Sequence, residues 1–201
     1  MRDLTAALIL VAAVVVFRLI GPLAGGPVAL ITANVAPLAA VVVAGAVYLP
    51  RRLAFGVPFG ALFISTLLVN WAKGWPIASP YTAVVALCFG LVFVLAWAVR
   101  GTPRVRTVLG VTVAGTLVFY LASNTVSWVF EPGYARSLGG WWQAVTVGLP
   151  IAGAPPTWWF LLKSLAGDLF FAGLMVAACH PRRKSSAAPP IASALSLPPA
   201  A

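Results

Sequence analysis

The chain has 201 residues, of which 62% are hydrophobic and only 8% are charged, and its formal net charge is +10. A soluble globular domain carries about a quarter charged residues because its surface faces water, so this composition excludes an ordinary soluble protein and indicates a chain embedded in lipid. The basic residues form short clusters between long apolar runs, which is typical of the cytoplasmic loops of membrane proteins and argues against a nucleic-acid-binding surface.

The apolar runs have lengths close to the ~20 residues that a membrane-spanning helix needs. The first run, 4–20, is interpreted as a retained helix and not a cleaved signal peptide, because Arg18 interrupts its far end and Pro27 follows the small residues 24–26. Five further runs cover 34–49, 53–70, 79–99, 107–130 and 157–179. The second is the shortest, which leaves open a tilted or partly re-entrant segment.

These runs predict an all-α membrane protein built as a bundle of six transmembrane helices. The bundle forms a single domain over 1–180, and the Pro/Ala/Ser-rich remainder, 181–201, is expected to be a disordered cytoplasmic tail. Between the fifth and sixth runs, residues 137–149 are interpreted as an extra helix lying at the membrane surface. Three glycines in that stretch, at 139, 140 and 148, make a full span unfavourable.

The orientation follows from the distribution of Lys and Arg over the two sides of a six-span chain. One side's loops receive only Lys73 and Arg136. The other side receives Arg2, Arg51, Arg52, Arg100, Arg104, Arg106, Arg182, Arg183 and Lys184. Because cytoplasmic loops carry the excess of positive charge, both termini are predicted to lie in the cytoplasm.

Tryptophan shows the opposite asymmetry, since only Trp97 lies near the predicted inner side. The outer side carries Trp71, Trp75, Trp128, Trp141, Trp142, Trp158 and Trp159. An interfacial belt explains aromatic residues at this depth. An excess on one side alternatively indicates a belt that also forms the rim of a pocket.

Ionisable side chains inside a span are costly and usually face the bundle interior. The predicted spans contain Arg18, Lys163 and Asp168, accompanied in the outer half by the amides Asn34 and Asn124. One interpretation is a ligand site open to the outside, lined by Arg18, Asn34, Asn124, Trp128, Lys163 and Asp168. The alternative is an internal charge pair with amide hydrogen bonds that fix helix packing. Two cations against one anion favour an anionic ligand.

Small residues recur every four positions on two predicted helices. Ala36, Ala40 and Ala44 do so on the second, and Gly56 and Gly60 on the third. Such spacing permits close helix approach, either inside the bundle or against a separate membrane partner.

Two residue types that often mark chemistry, cysteine and histidine, are scarce in the chain. The cysteines, Cys88 and Cys179, have no ligand spacing, and His180 is the sole histidine. We therefore expect no metal, no cofactor and no catalytic residue, and the chain is not expected to be an enzyme.

Several short elements resemble an uncharacterised bacterial membrane family that is similar to the substrate-binding S components of energy-coupling-factor vitamin transporters. They are Arg18, the stretch Asn34-Val35-Ala36-Pro37 running into 44–49, the stretch 123–128 (Ser-Asn-Thr-Val-Ser-Trp), and Gly167-Asp168-Leu169. Two departures stand out. Ser65-Thr66-Leu67 replaces a Ser-Asp-Leu pattern, and Lys163-Ser164 replaces Asn-Thr.

The resemblance implies a protein of the bacterial inner membrane that captures a small nutrient from outside. It also implies delivery of that nutrient together with a transmembrane coupling subunit and ATPases. A structural or scaffold protein, whose polar residues pair only internally, is the alternative.

Overall fold

The computed structural model describes residues 2–24, 37–100, 104–150 and 155–179. Within these ranges the chain forms seven helices and no strand, which confirms the all-helical prediction. The helices are α1 (Arg2–Ala24), α2 (Leu38–Tyr48), α3 (Gly56–Lys73), α4 (Pro80–Ala98), α5 (Val105–Phe130), α6 (Leu138–Thr146) and α7 (Thr157–Cys179). Asn34, Ala36 and the predicted tail 181–201 lie outside the described residues.

Three of the described helices, α4, α5 and α7, are long and apolar enough to cross a membrane. This agrees with the prediction of a membrane protein. It does not establish six spans or the orientation of the chain, which stay predictions. The described part of α1 contributes a shorter apolar stretch, Val11–Ile20, and α2 is also shorter than a span.

Local chemistry explains where several helices begin and end. At the start of α4, the Ser79 side chain accepts a hydrogen bond from the backbone N–H of Thr82, and Pro80 occupies the first helical turn, where its missing N–H costs nothing. Gly74 ends α3 in the left-handed conformation, with φ of 66°. Ser137 caps α6 in the same way as Ser79 caps α4. The helix predicted within 137–149 is thus present, and its position at the membrane surface stays a prediction.

The two ends of the bundle differ in composition. At one end α3 and α5 finish and α4 and α7 begin, and we call this the tryptophan-rich end. It carries Trp71, Trp75, Trp128, Trp158 and Trp159. The opposite, arginine-rich end carries Arg51, Arg52, Arg100, Arg104 and Arg106.

Helix α2 lies at the centre of the bundle and contacts α1, α3, α4, α5 and α7. Every residue from Ala39 to Val47 is buried, as expected for a helix that is apolar on all sides. Val42, Val43, Ala46 and Val47 form one hydrophobic cluster with Phe89 and Val92 of α4, Val108 of α5 and Val176 of α7, among others. The core of the protein is therefore organised around this helix.

Helix α2 reaches through only half of the bundle. Its 11 residues extend about 16 Å at 1.5 Å per residue, roughly half of the ~30 Å hydrocarbon layer. Its first turn contacts Asp168, near the midpoint of α7, and its last residues contact Arg100 at the arginine-rich end. The predicted span 34–49 is thus corrected to a shorter helix. It starts after Pro37, because proline lacks the N–H that a helix interior needs and restricts the residue before it.

Candidate functional site

Asp168 lies in the middle of the bundle with only 3% of its surface exposed. Its Oδ1 accepts a 2.9 Å hydrogen bond from the backbone N–H of Ala40, and its Oδ2 accepts a 2.6 Å bond from the Thr116 hydroxyl. Ala40 belongs to the first turn of α2, where the N-cap residue, Pro37, supplies no side-chain cap. The Asp168 carboxylate on α7 therefore caps the N-terminus of α2, and its negative charge interacts favourably with the positive end of the α2 dipole.

A cation occupies the corresponding place at the other end of α2. The Arg100 guanidinium donates hydrogen bonds to the carbonyl oxygens of Ala46, at 2.6 Å, and Leu49. It also stacks over the Trp97 ring, 4.9 Å from the ring centre. Positive charge at a helix C-terminus is favourable for the same dipole. Both ends of the central helix are thus satisfied by side chains of neighbouring elements.

Above the N-terminus of α2, toward the tryptophan-rich end, a cavity of about 150 Å³ lies between α4, α5 and α7. Its described lining consists of Tyr81, Thr116, Phe119, Tyr120, Ser123, Asn124, Ser127, Thr157, Phe160 and Ser164. A second cavity of about 20 Å³ is lined by Leu38, Ala39, Phe89 and Asp168, and shares Thr116, Phe119 and Ser164 with the first. The shared residues make the two cavities neighbours, and the smaller one lies beside Asp168 and the first turn of α2.

Most of the polar side chains that line the larger cavity and have recorded hydrogen bonds donate them into the protein. The Tyr120 hydroxyl donates to the carbonyl oxygen of Val145 on α6, at 2.6 Å. The Ser123 hydroxyl and the Asn124 amide both donate to the carbonyl oxygen of Tyr120, at 3.1 and 2.8 Å. Thr116 donates to Asp168, as described above. Each of these side chains therefore retains an oxygen that can accept a further hydrogen bond.

Arg18 reaches α3 and not the carboxylate. Its Nη1 donates to the Ser65 hydroxyl oxygen at 2.6 Å and to the carbonyl oxygen of Leu62 at 3.3 Å, and its Nη2 donates to the Thr66 hydroxyl at 3.1 Å. Neutral oxygens thus satisfy this partly buried cation, and one of them belongs to Thr66, the position where the resemblance leads one to expect an acid. Among the described residues, the recorded hydrogen bonds of Arg18 and of Asp168 go to different helices.

Of the remaining predicted site residues, Asn34 lies outside the described residues, and Lys163 and Trp128 do not belong to the described lining of either cavity. Lys163 is partly buried on α7. The indole N–H of Trp128 donates to the carbonyl oxygen of Ala135 at 2.9 Å, which ties the end of α5 to the segment before α6. Of the six predicted ligand-binding residues, the structure places Asn124 and Asp168 at the cavities.

A family model described as a family of unknown function, DUF6580, matches residues 1–189. The chain belongs to the DUF6580 family. Neither a curated protein nor a solved structure matches it. Since the family carries no assigned function, inference about this DUF6580 member rests on its own residues.

Sequence reasoning missed the polar face that α5 presents to the cavity. Thr116, Tyr120, Ser123 and Ser127 are spaced by four, three and four residues, so they share one face of a helix. That spacing is visible in the sequence, and it is the signal that would have found them. The intervening positions on α5 are mainly apolar, as is usual for the rest of a buried or lipid-facing helix.

The two small-residue patterns differ in how closely they are packed in the structure. Ala40 and Ala44 are each 2% exposed inside the bundle, so their burial favours packing within the chain over docking to a partner. A Cβ atom added at Gly56 or Gly60 would meet nothing within 4 Å, so neither glycine is needed for close approach. Gly45 is the tight contact, since a Cβ there would lie 2.6 Å from Cγ of Pro58 on α3.

Among the described residues, no group of three or more His, Cys, Asp or Glu side chains is placed to hold a metal ion. The described cysteines, Cys88 and Cys179, are both buried and form no disulfide with each other. The chemistry that the described site offers is therefore hydrogen bonding in a partly apolar cavity.

Proposed function

We propose that this protein is a membrane-embedded subunit that binds a small molecule in the cavity between α4, α5 and α7. The observation that carries the proposal is a cavity with polar lining between otherwise apolar helices, in the half of the bundle nearer the tryptophan-rich end. Ligand sites are commonly concave, with apolar walls and a few placed polar groups. Phe119 and Phe160 supply such walls here, and hydroxyl and amide groups supply the polar contacts.

The setting of the proposal is the one expected from the sequence. The chain crosses the bacterial inner membrane six times with both termini in the cytoplasm, so that the tryptophan-rich end and the cavity face outward. Uptake would require a separate coupling subunit with ATPases, as in the S components that the sequence resembles. We propose binding and delivery, and not catalysis, as the activity.

The half-length helix α2 supports this proposal. In membrane transport proteins, binding sites are often built where a discontinuous helix ends inside the membrane, because its terminal N–H groups and dipole are available there. The N-terminus of α2 lies at mid-bundle beside the smaller cavity, which Leu38 and Ala39 help to line.

The proposal can be tested by thermal unfolding of the purified full-length chain in detergent, in the presence of vitamins, their precursors and small carboxylates. A ligand that binds the folded state stabilises it by RT ln(1 + [L]/Kd), so it raises the melting temperature. Ser127→Phe should fill part of the cavity and abolish the shift. Leu121→Phe is the matched control, because Leu121 lies on the same helix but is 45% exposed and outside the described lining.

Two outcomes would contradict the proposal. One is that no compound raises the melting temperature of the wild-type chain. The other is that Ser127→Phe retains a shift as large as that of Leu121→Phe, which would place the bound molecule outside this cavity.

A structural protein is the second candidate, and a specific observation favours it. The recorded hydrogen bonds of Asp168 and Arg18 go to other parts of the chain, as they would if these groups served only to fix helix packing. This candidate predicts that filling the cavity with Ser127→Phe raises or preserves stability and abolishes no binding.

A further inference from the structure

The donors and acceptors of the cavity wall are unequally available to a ligand. Tyr120, Ser123 and Thr116 each direct a hydroxyl proton to an acceptor within the protein. Asn124 uses one amide proton in the same way. What these four side chains retain toward the cavity is chiefly oxygen lone pairs. A ligand that donates hydrogen bonds can use those lone pairs without breaking any contact of the protein. A ligand that only accepts hydrogen bonds is restricted to the second amide proton of Asn124 and to the hydroxyls of Tyr81, Ser127 and Thr157, which can donate or accept.

The charge around the cavity also favours a ligand that donates hydrogen bonds. Asp168 is the ionisable side chain among the described residues that line the two cavities, apart from the tyrosine phenols. Its carboxylate is balanced by the first turn of α2 and by Thr116. Arg18 donates to α3, and Lys163 does not belong to the described lining. Arg18 interacts electrostatically with Tyr81 of the wall, but neither of the two cations that led the sequence to favour an anionic ligand belongs to the described lining.

Size sets a further limit. The volume of about 150 Å³ is that of an engineered protein cavity known to hold benzene, although that cavity is apolar and stays dry. A polar cavity of this size, with room toward the helix ends at Thr157 and Ser127, suits a molecule of about six to ten non-hydrogen atoms.

We infer that the cavity takes a small molecule that donates hydrogen bonds and carries no negative charge. This inference rests on the proposed binding function and specifies its ligand class. An amide, a urea-like group or a protonated amine on a compact ring has the required donors. A carboxylate of the same shape has none and would bring its charge close to Asp168.

Benzamide, benzamidine and benzoate form a matched set of probes, since they have nearly the same size and shape and differ in donors and charge. Each is added at equal concentration to the full-length chain in detergent, and the melting temperature is followed by tryptophan fluorescence. Benzamide and benzamidine should raise the melting temperature, and benzoate should leave it unchanged. Concentration series then give the Kd of each complex from the size of the shift.

A pair of variants locates the effect. Ser123→Ala removes a wall oxygen, and we expect it to weaken benzamide binding by about five-fold, the equivalent of one hydrogen bond. Thr146→Val is the control. The Thr146 hydroxyl also donates to a carbonyl oxygen of its own helix, that of Trp142 at 2.6 Å, but Thr146 lies outside the described lining.

The outcomes separate this inference from the proposal beneath it. If benzoate stabilises the chain as much as benzamide does, the ligand class is wrong while binding stands. If none of the three probes shifts the melting temperature, the inference fails, and failure of the nutrient panel as well would remove the proposed function. Shifts that Ser123→Ala leaves unchanged would also overturn the inference, because binding would then lie elsewhere.

Discussion

Removing the carboxylate of Asp168 should destabilise the bundle by uncapping its central helix. In Asp168→Ala, the backbone N–H of Ala40 loses its recorded acceptor in a buried setting, whereas the hydroxyl of Thr116 can still donate to the carbonyl oxygen of Thr112, at 3.0 Å. The unpaired buried donor costs about 1–3 kcal/mol, and the lost negative charge at the N-terminus of α2 costs up to ~2 kcal/mol more. Relief of the carboxylate's own desolvation in the variant offsets part of this cost. We therefore expect a net loss of about 1–3 kcal/mol.

Asp168→Asn should lie between the wild type and Asp168→Ala. Its amide oxygen can still accept one of the two hydrogen bonds, but its NH2 group faces donors, and the favourable charge at the end of α2, worth up to ~2 kcal/mol, is lost. Thr116→Val tests the pair directly. Combined with Asp168→Ala in a double-mutant cycle, it should show a coupling of about 0.5–3 kcal/mol, because the two side chains share a hydrogen bond.

Thermal unfolding of the purified chain in a mild detergent is a suitable assay, since a change of 1 kcal/mol moves the melting temperature of a chain of this length by about 2–4 °C. Glu131→Ala is the control: it removes an exposed acidic side chain just after α5 and should change stability by less than about 0.5 kcal/mol. If Asp168→Ala and Glu131→Ala melt together, the cap contributes nothing and the reasoning about α2 is refuted.

Three further outcomes follow from particular contacts. Gly45→Ala should destabilise the folded chain by about 1–3 kcal/mol, because the added Cβ would clash with Pro58. At Gly110 an added Cβ meets nothing within 4 Å, so Gly110→Ala should instead stabilise α5 by up to ~1 kcal/mol. Equal effects of the two variants in the same unfolding assay would contradict this. Arg100→Met should cost about 1–3 kcal/mol in that assay, since two carbonyls of the α2 end lose a charged donor, and unchanged stability would show that the contact is dispensable. Burial, reinforced by the charge of Glu131, raises the pKa of Tyr134, so the folded chain favours the neutral phenol. The contribution of Tyr134 to the free energy of unfolding is therefore constant below pH ~10 and declines above it. Between pH 9 and 12 the stability of Tyr134→Phe should fall less steeply with pH than that of the wild type, and identical slopes would rule this out.

Much of the helical framework could be predicted from hydrophobic runs alone. The runs 79–99, 107–130 and 157–179 correspond to α4, α5 and α7 within a few residues, because a continuous apolar stretch of about 20 residues has few alternatives to a long helix. The helix within 137–149 could also be predicted, since Ser137 is a good N-cap residue before a short apolar stretch.

The start of α2 was mispredicted although the sequence contained the necessary signal. Pro37 interrupts the run 34–49, and a proline favours a helix that begins no earlier than the proline itself, because it disfavours the helical conformation of the preceding residue. The consequence is a helix start with no polar side chain of its own in the described residues, so its free N–H groups need an acceptor from elsewhere. That requirement was predictable, but its solution by Asp168 was not, because the two residues are 128 positions apart.

The site could be predicted only in part for a similar reason. Depth counted along each helix predicted Asp168 near the midplane and Asn124 nearer the outer end, and the structure brings the two residues to neighbouring cavities. Depth does not specify, however, which way a side chain points around its helix. Arg18 was assigned to a ligand site on depth alone; its guanidinium donates hydrogen bonds to Ser65 and Thr66 and interacts electrostatically with Tyr81 of the cavity wall, so its part in ligand binding stays a prediction. Rotation about the helix axis depends on packing with neighbouring helices, and packing is not encoded in the period of one run.

The hydrogen bonds of Asp168 also determine which experiments can distinguish a binding subunit from a structural protein. Because both carboxylate oxygens already serve α2 and Thr116, substitutions of Asp168 should destabilise the chain under either function, and loss of binding in such a variant would be ambiguous. Ser123 and Ser127 have no comparable role in capping a buried helix, yet they line the cavity. A change at these serines that removes ligand-induced stabilisation but leaves the ligand-free melting temperature near that of the wild type can be explained only by a molecule bound in that space.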